Sequence, residues 1–448
     1  MSKRAPGPRN RILTTQRVLA KPFEWFPKWR ERYGDPYRLP TMNGSVTMTG
    51  RPELIKEIFK ASPDGYEPWA AQTVVPFVGP NSLLATTGAP HKRDRKLLMP
   101  PFHGERMRSL SEVMALAARN ACREVLAKDG GRVEALDLGQ EISLEIIIRA
   151  VFGVSEASRV ETYKAAIKDF MRTAHPGLLF FKALHANWFG PWRRYRKAYD
   201  AFDALLQQEV EAARESGEGR DDILGLLISA RYEDGSPMDD AVVRDQCRTM
   251  LIAGHETAAV SLAWCLDELG RDPELLARVR SELDEATARS AEPEAAFAES
   301  KWLDGLWKET LRLHPVVTEA LRLVNRPMNL GGFDVPVGEG VSVSILHVHM
   351  DPDLYPEPER FRPERFFDRK LSPTEYLPFG GGHRRCIGAA FAAHEMQIVL
   401  GVLLAEYEFE LSSPQRAQPV RRNVTLAPND GVPLRLRVRG RESAAAAE

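Results

Sequence analysis

The chain has 448 residues, 43% of them hydrophobic, and its 61 Lys and Arg residues balance 62 Asp and Glu residues to a net charge of -1. This composition is typical of a folded globular protein and excludes intrinsic disorder. Because no basic field covers the whole molecule, nucleic-acid binding is disfavoured as the main function.

The four cysteines are widely spaced, and no Cys-x-x-Cys pair occurs. This pattern excludes a disulfide framework and a zinc cage. The basic N-terminus lacks the apolar core of a signal peptide, and we find no stretch of about 18 uncharged apolar residues. We therefore expect a soluble, cytoplasmic protein without a membrane anchor.

The first predicted element is a β-hairpin over residues 37–50, with Asn43-Gly44 at its turn. Pro40 cannot donate a backbone hydrogen bond, so its strand is expected at a sheet edge. Arg51-Pro52-Glu53 then opens a helix, because proline is favoured in the first turn.

Residues 105–311 are predicted to be mostly helical, with helices that end at Gly130-Gly131, at Gly153 and near Gly217. Residues 174–191 form an apolar connector. Either it packs as core, which composition alone favours, or it covers an apolar pocket. Its large side chains are Phe180, Phe181, Trp188 and Phe189.

The longest predicted helix runs from Asp239 to Gly270, about 32 residues and roughly 48 Å. Residues 250–262 are apolar on nearly every face, so this part should be buried. Gly254, Glu256 and Thr257 interrupt the apolar run. Thr257 can bond to a carbonyl one turn earlier, and a buried Glu needs a partner or water.

The last third mixes short strands with irregular chain. Residues 319–349 indicate a small sheet, and the proline-rich residues 351–363 an irregular segment. A helix is expected from Cys386 to about Tyr407, then a hairpin over 423–438 turning near Asn429-Asp430-Gly431. The fold class is mainly α with small β-sheets (α+β), in a single domain over 1–448 with flexible tails at 1–12 and 441–448.

The segment with the clearest chemistry is Phe379-Gly-Gly-Gly-His-Arg-Arg-Cys-Ile-Gly388. The N-terminus of a helix lowers the pKa of a nearby thiol, which favours an anionic Cys386. Gly380 to Gly382 and Gly388 permit positive φ and close approach by a flat group. A lone cysteine is most often inert packing, but this loop favours a ligand.

The chain resembles the cytochrome P450 family of haem-thiolate monooxygenases. The family loop Phe-x-x-Gly-x-Arg-x-Cys-x-Gly is matched without departure over residues 379–388. Three further family motifs occur in the family's order: Ala253-Gly-His-Glu-Thr257, Glu309-Thr-Leu-Arg312 and Phe361-Arg-Pro-Glu-Arg-Phe366. The resemblance implies the cytochrome P450 fold, in which a long central helix crosses the domain and the cysteine loop lies on the proximal side of the haem.

The resemblance also implies roles for individual residues. Cys386 would bind the iron of haem b (iron-protoporphyrin IX), and Glu256 and Thr257 would be the catalytic acid and alcohol that deliver protons to dioxygen. Glu309, Arg312 and Arg365 would form a buried structural triad behind the haem. The remaining cofactor-binding residues are Phe379, Gly380, Gly388 and Ala253 near the ring, and His91, Arg95, Arg322 and Arg384 at the propionates.

The implied reaction is hydroxylation or epoxidation of an apolar small molecule, such as a terpenoid, steroid, fatty acid or macrolide. Electrons would come from NAD(P)H through a ferredoxin or flavodoxin and its reductase. An acidic partner of this kind would dock on a basic patch that includes Lys92, Arg93, Lys96, His383 and Arg385. By segment, the expected pocket residues are Phe77, Leu83, Phe170, Val316, Val317 and Val424.

Three other functions are compatible with these motifs. A peroxygenase would use H₂O₂, but Glu256 and Thr257 favour dioxygen, since such relatives replace this pair. A haem sensor would bind ligands without turnover. The third alternative is an α-rich protein without haem.

Overall fold

The computed structural model describes residues 3–69, 71–102, 105–174, 178, 184–216, 219–422 and 424–440. Helices form most of the fold, as the sequence predicts. Before the long central helix they are α1 Arg11–Ala20, α2 Pro22–Tyr33, α3 Pro52–Lys60, α4 Ala71–Val78, α5 Gly88–Leu98, α6 Glu105–Ser109, α7 Ser111–Asp129, α8 Ala135–Phe152, α9 Ala157–Thr173, α10 Gly190–Ser216 and α11 Ile223–Ser229. The others are α12 Asp240–Gly270, α13 Pro273–Ala288, α14 Pro293–Glu299, α15 Lys301–Leu313, α16 Ile345–His349 and α17 Ala389–Glu406.

The strands form small sheets beside the helices. One sheet has the order β1-β2-β8-β5-β3, in which only β2 and β8 are parallel neighbours. Another has the order β4-β12-β9, and two-stranded sheets pair β6 with β7 and β10 with β11. The strands are β1 Tyr37–Thr41, β2 Gly44–Thr49, β3 Tyr66–Glu67, β4 Arg132–Glu134, β5 Glu319–Val324, β6 Met328–Leu330, β7 Phe333–Val335, β8 Gly340–Ser344, β9 Tyr407–Leu411, β10 Pro419–Arg422, β11 Thr425–Pro428 and β12 Pro433–Val438.

The long central helix α12 forms the centre of the core. It begins one residue after Asp239, whose side chain accepts a hydrogen bond from the backbone N of Ala241 at 2.8 Å. Helix α8 packs so closely against it that a Cβ on Gly139 would lie 2.9 Å from the Cα of Ala259. Trp264 on α12 is 1% exposed. The predicted boundaries of this helix are confirmed, but the burial predicted for residues 250–262 holds fully only for 258–262, because residues 250–257 are in part accessible.

The hairpin predicted over residues 37–50 is confirmed, with the strand of Pro40 at the sheet edge. Residues 345–349, expected as strand, form the short helix α16 instead. Its start is capped by Ser344, whose hydroxyl accepts from the backbone N of His347.

The hairpin predicted over residues 423–438 is wrong. Strand β11 pairs with β10, whereas β12 pairs with β4 and β9. Asn429 closes the β10–β11 ribbon, since its backbone N donates to Gln418 O at 2.9 Å and its side chain accepts from Gln418 N at 2.8 Å. The chain then turns through Gly431, which has φ of 69°, and enters the other sheet. The residues Asn429-Asp430-Gly431 therefore mark a turn between two sheets and not the turn of a hairpin.

Residues 1–12 were expected to form a flexible tail. Residues 3–12, the part that the structure describes, instead contact the rest of the fold. The backbone N of Lys3 donates to the Asp334 carboxylate at 3.1 Å, Asp334 N donates to Lys3 O at 2.8 Å, and Arg38 N donates to Pro6 O at 2.7 Å. Gly7 lies so close to this strand that a Cβ would meet Arg38 O at 1.8 Å. These long-range contacts hold the segment on the sheet. Residues 441–448, the other expected tail, lie outside the described residues.

Contrary to expectation, one of the described helices is long and apolar enough to cross a membrane. This helix is α17, and 67% of it is buried inside the fold. Its burial is that of a core helix, so its composition reflects packing within the protein.

Candidate active site

The cysteine loop leads into helix α17. Its ends are tied together by a hydrogen bond from Cys386 N to Phe379 O at 3.0 Å. Gly380 and Gly382 have φ of 63° and 67°, a conformation that favours glycine. Gly381 is extended instead, and a Cβ there would lie 2.2 Å from the ring of Phe59. A Cβ on Gly388 would meet nothing within 4 Å, so this side of the loop is open.

Cys386 differs from the other three cysteines in its environment. Its side chain is exposed, whereas Cys122, Cys247 and Cys265 are buried and have thiol pKa values raised to about 12. Desolvation by the surrounding protein also raises the pKa of Cys386, against the opposing effects of Gly388 N–H, Arg385 and Arg95. The prediction that the helix N-terminus lowers the pKa of Cys386 is therefore wrong for the free thiol. A bound metal ion would reverse this, because a coordinating thiol is deprotonated.

Five basic side chains lie together beside the loop: the arginines Arg95, Arg322 and Arg384 and the histidines His91 and His383. Desolvation and then mutual repulsion lower the pKa of His91 to about 3 and that of His383 to about 4. The same two causes lower the pKa of Arg384 to about 10, and desolvation lowers that of Arg322 to about 10. Among the described residues, no carboxylate forms an ion pair with the three arginines.

These arginines bond to backbone carbonyls instead. Arg322 donates to Gly381 O at 3.2 Å, Arg95 donates to Arg385 O at 2.6 Å, and Arg384 donates to Thr86 O. The Nε atom of Arg384 is buried without a partner. Buried cations are normally paired with anions. A ligand with two carboxylates fits this cluster, and the two propionates of haem supply them.

The middle of helix α12 is less buried than the rest of the helix. Ala253 is exposed and Glu256 and Thr257 are partly exposed, whereas Leu251 and His255 are buried. Thr257 donates from Oγ1 to Ala253 O at 2.9 Å, one turn earlier. His255 points away and bonds to the carbonyl of Leu251 at 2.7 Å. The acid and the alcohol therefore occupy the accessible part of a buried helix.

Glu256 has a partner from a different part of the chain. Its Oε1 accepts a hydrogen bond from Thr425 Oγ1 at 3.1 Å. Desolvation raises the pKa of Glu256, although Thr425 and Arg422 oppose the shift. Sequence reasoning missed Thr425, because only the β10–β11 ribbon brings it to the long helix, and no local pattern predicts that contact.

The three residues of the expected structural triad are in contact. Arg312 and Glu309 have no exposed side-chain area, and Arg312 donates to both carboxylate oxygens at 2.6 and 2.8 Å. Arg365 donates to Glu309 Oε1 at 3.2 Å. Glu309 also accepts from the backbone N of Arg362 at 2.9 Å. The triad thus joins helix α15 to the proline-rich segment.

The expected pocket residues differ in how far their side chains are buried. Phe77 and Val317 are partly buried, whereas Leu83 and Val316 are each 8% exposed. Val424 is 66% exposed and precedes Thr425 in the chain.

Phe170 is a correction to the expected pocket. It has no exposed area and packs between Tyr195 and Phe202 at ring distances of 5.7 and 5.6 Å. It is therefore a core residue and does not line a pocket.

The connector over residues 174–191 is described only in part. Phe180 and Phe181 lie outside the described residues. Trp188 is 78% exposed, and Phe189 packs partly buried against the core.

The expected basic patch is partly neutralised. Lys96 pairs with Glu233 at 2.7 Å, and Arg93 pairs with Asp94 at 3.1 Å. Lys92 and Arg385 are exposed.

A family model described as cytochrome P450 matches residues 6–432. Putative cytochrome P450 135A1 of Mycobacterium tuberculosis is 33% identical over 96% of this chain and 94% of its own length. Putative cytochrome P450 138 of the same species is 32% identical over 89% of this chain and 88% of its own length.

Solved structures show the same fold. Cyanobacterial CYP120A1 bound to retinoic acid has a TM-score of 0.83 and 24% identity, covering 98% of this chain and all of its own. The haem domain of cytochrome P450DA has a TM-score of 0.85 and 21% identity over 98% of both chains. The predicted fold is confirmed. Together with the family match, these similarities show that the chain belongs to the cytochrome P450 family and is a haem-thiolate monooxygenase.

Proposed function

We propose that this cytochrome P450 inserts one atom of dioxygen into an apolar small molecule by hydroxylation or epoxidation. The balanced reaction is R–H + O₂ + two electrons + two protons giving R–OH + H₂O. Bound haem b supplies the iron that activates dioxygen. The observation that carries the proposal is the accessible acid and alcohol, Glu256 and Thr257, in the middle of an otherwise buried helix.

We assign the cofactor to the open side of the cysteine loop. Cys386 is the iron ligand, with Phe379, Gly380, Gly388 and Ala253 beside the ring. The exposed thiol and the unfilled space beside Gly388 support this assignment. The propionates pair with His91, Arg95, Arg322 and Arg384, whose cluster lacks a described carboxylate partner.

Glu256 and Thr257 have separate tasks in this proposal. The raised pKa of Glu256 favours the protonated carboxyl, and Thr425 orients it. Glu256 therefore takes up a proton more readily than a free glutamate does, which suits a group that passes protons inward. Thr257 presents its hydroxyl to the same space, because its Oγ1 is held against Ala253 O. A positioned acid of this kind contributes about 10²- to 10⁴-fold to a rate.

The substrate and the electron source are the least specific parts of the proposal. The apolar side chains of Phe77, Leu83, Val316 and Val317 favour a terpenoid, steroid, fatty acid or macrolide-like compound. Electrons come from NAD(P)H through a cytoplasmic ferredoxin or flavodoxin and its reductase. Exposed Lys92 and Arg385 support docking of an acidic partner near the cysteine loop.

Replacement of the acid and the alcohol tests the reaction. We expect Glu256→Gln and Thr257→Ala to lower product formation per NAD(P)H consumed by about 10-fold or more, because protons no longer reach dioxygen in order. The measurement is product, NAD(P)H and H₂O₂ in a reconstituted assay with a compound found by a Soret-shift screen. Ser261→Ala is the matched control, since Ser261 makes the same backward bond on the same helix at 2.9 Å.

Two outcomes would overturn the dioxygen proposal. Unchanged coupling in both variants, with product formed from H₂O₂ alone, would indicate a peroxygenase. Ligand binding without turnover across a broad apolar panel would indicate a sensor.

Replacement of the proposed iron ligand tests the cofactor assignment separately. We expect Cys386→Ser to abolish the red-shifted absorption of the reduced, carbon-monoxide-treated protein, because only a thiolate ligand produces it. Cys122→Ala, a buried cysteine in α7, is the control and should retain the band. A Cys386→Ser protein that keeps the band would contradict the assignment.

A further inference from the structure

Helix α1 exposes three of its large apolar side chains, whereas Val18 packs half-buried against the core. Ile12 is 71% exposed, Leu19 is 50% exposed and Leu13 is 38% exposed. The one fully buried residue of this helix is Thr14. A surface helix normally turns its apolar stripe toward the core. The reversed arrangement leaves an apolar face without a partner among the described residues.

Two other chain segments extend this face. Met42, in the turn between β1 and β2, is 63% exposed, and its backbone N donates to Thr15 Oγ1 at 2.9 Å. On strand β10, Arg421 donates from Nε to Leu19 O at 3.3 Å, and its neighbour Val420 is 36% exposed. A group of exposed apolar side chains on neighbouring segments marks an interaction site. We name it the α1 patch, comprising Ile12, Leu13, Leu19, Met42 and Val420.

The chain around the α1 patch is rich in basic residues, two of which are paired, Arg4 with Glu339 at 2.6 Å and Lys21 with Glu24 at 3.6 Å. Residues 3–23 contain six Lys and Arg residues and no acid. Arg9 and Arg11 are exposed, and neither has an ion pair within the described part of the chain.

With Arg38, these two arginines line a recess of about 340 Å³ at the start of α1. The Nε atom of Arg38 is buried there without a partner, although its Nη2 atom bonds to Ser45 and Glu339. Guanidinium groups match phosphate geometry. The recess therefore suits a phosphate group beside an apolar surface.

We propose that the α1 patch and the arginine recess dock the enzyme on the surface of an anionic phospholipid bilayer. Ile12, Leu13 and Leu19 enter the boundary between headgroups and acyl chains, and the arginines bind lipid phosphates. Helices with exposed apolar residues and flanking cations bind in this way, lying in the interface without crossing it. The charge decides the occupant, because exposed Arg9 and Arg11, which have no ion pair within the described residues, are complementary to an anionic surface.

The test uses the full-length, haem-loaded protein and two kinds of vesicle. We expect it to sediment with vesicles of phosphatidylcholine plus phosphatidylglycerol and not with phosphatidylcholine alone, and to be released by salt. Each basic residue near an anionic surface contributes about fivefold to affinity, so Arg9→Gln/Arg11→Gln should weaken binding by about 25-fold. Ile12→Ser/Leu19→Ser should weaken it as well, by removing the apolar contribution.

Leu116→Ser/Lys370→Gln is the matched control, because both residues are exposed and lie on other elements. It should bind vesicles as the unaltered chain does, and the carbon-monoxide spectrum checks that every variant is folded. Equal binding to both vesicle types, absent binding, or equal losses in control and test variants would overturn the proposal. So would a dimer, seen by sedimentation velocity, that Ile12→Ser/Leu19→Ser dissociates, since the patch would then bind a second copy of the chain.

Discussion

At the residue scale, Glu395 shows how burial controls a titration. It lies in α17 with 3% of its surface exposed, and its hydrogen-bond partner is Ser143, which donates at 2.6 Å. Burial raises the pKa of Glu395 to about 8. The carboxyl therefore carries its proton at neutral pH in the folded chain, whereas an unfolded glutamate releases it above about pH 4.3.

This difference predicts the pH dependence of stability. Because the folded state binds the proton more tightly, the free energy of unfolding falls as pH rises from about 4.3 to about 8, by at most about 5 kcal/mol. Glu395→Gln should remove this slope and make the protein more stable than the unaltered chain near pH 8. Urea midpoints across this range measure it, with exposed Glu112→Gln as control. Parallel pH profiles for the Glu395 variant and the unaltered chain would contradict the prediction.

At the scale of elements, the buried triad holds helix α15 against the proline-rich segment. Arg365 donates to Glu309, and also to the carbonyls of Pro356 and Glu357 at 2.6 and 2.8 Å. One side chain thus satisfies carbonyls in a segment that has no regular structure of its own. The segment keeps its course because Arg365 links these carbonyls to the buried carboxylate of Glu309.

Removal of one triad member should therefore be costly. We expect Arg365→Ala to lower the free energy of unfolding by about 1.5 to 3 kcal/mol, because Glu309 loses one charged hydrogen bond while it keeps its pair with Arg312. Glu364→Ala is the control, since its pair with Arg278 is exposed at 3.3 Å and should contribute at most about 1 kcal/mol. Urea unfolding followed by circular dichroism compares the two variants. Similar losses in both would show that the triad is not a buried network.

At the scale of the whole molecule, the cation cluster couples folding to cofactor binding. Arg322, Arg384 and Arg95 repel one another without a described carboxylate partner, and their charge helps to keep His91 and His383 neutral at pH 7. They come from α5, β5 and the cysteine loop, so the repulsion acts between elements far apart in the chain. A ligand that neutralises them stabilises the assembled fold.

We accordingly expect removal of haem to lower the urea midpoint. A ligand at 1,000 times its dissociation constant stabilises the folded state by about 4 kcal/mol. Sulfate or phosphate should partly restore the haem-free protein, because these anions neutralise the cluster, whereas chloride at equal ionic strength should do so less. The haem-loaded protein should respond little to the choice of anion. Equal midpoints with and without haem would contradict this coupling.

The sequence alone predicts the features that depend on neighbouring residues. Asp239 and the apolar run after it predict the long helix, since capping and periodicity act within a few turns. The glycines, arginine and cysteine of residues 379–388 predict the ligand loop for the same reason. The triad also follows from motifs, although its contacts were implied by family resemblance.

Only the tertiary structure decides what depends on distant partners. It buries Phe170 among aromatic rings, pairs β12 with β4, and surrounds Cys386 so that desolvation raises the pKa of its free thiol. It also brings Thr425 to Glu256 across 169 residues of chain. Burial and long-range pairing depend on which surfaces meet, and a local pattern of residue types does not contain that information.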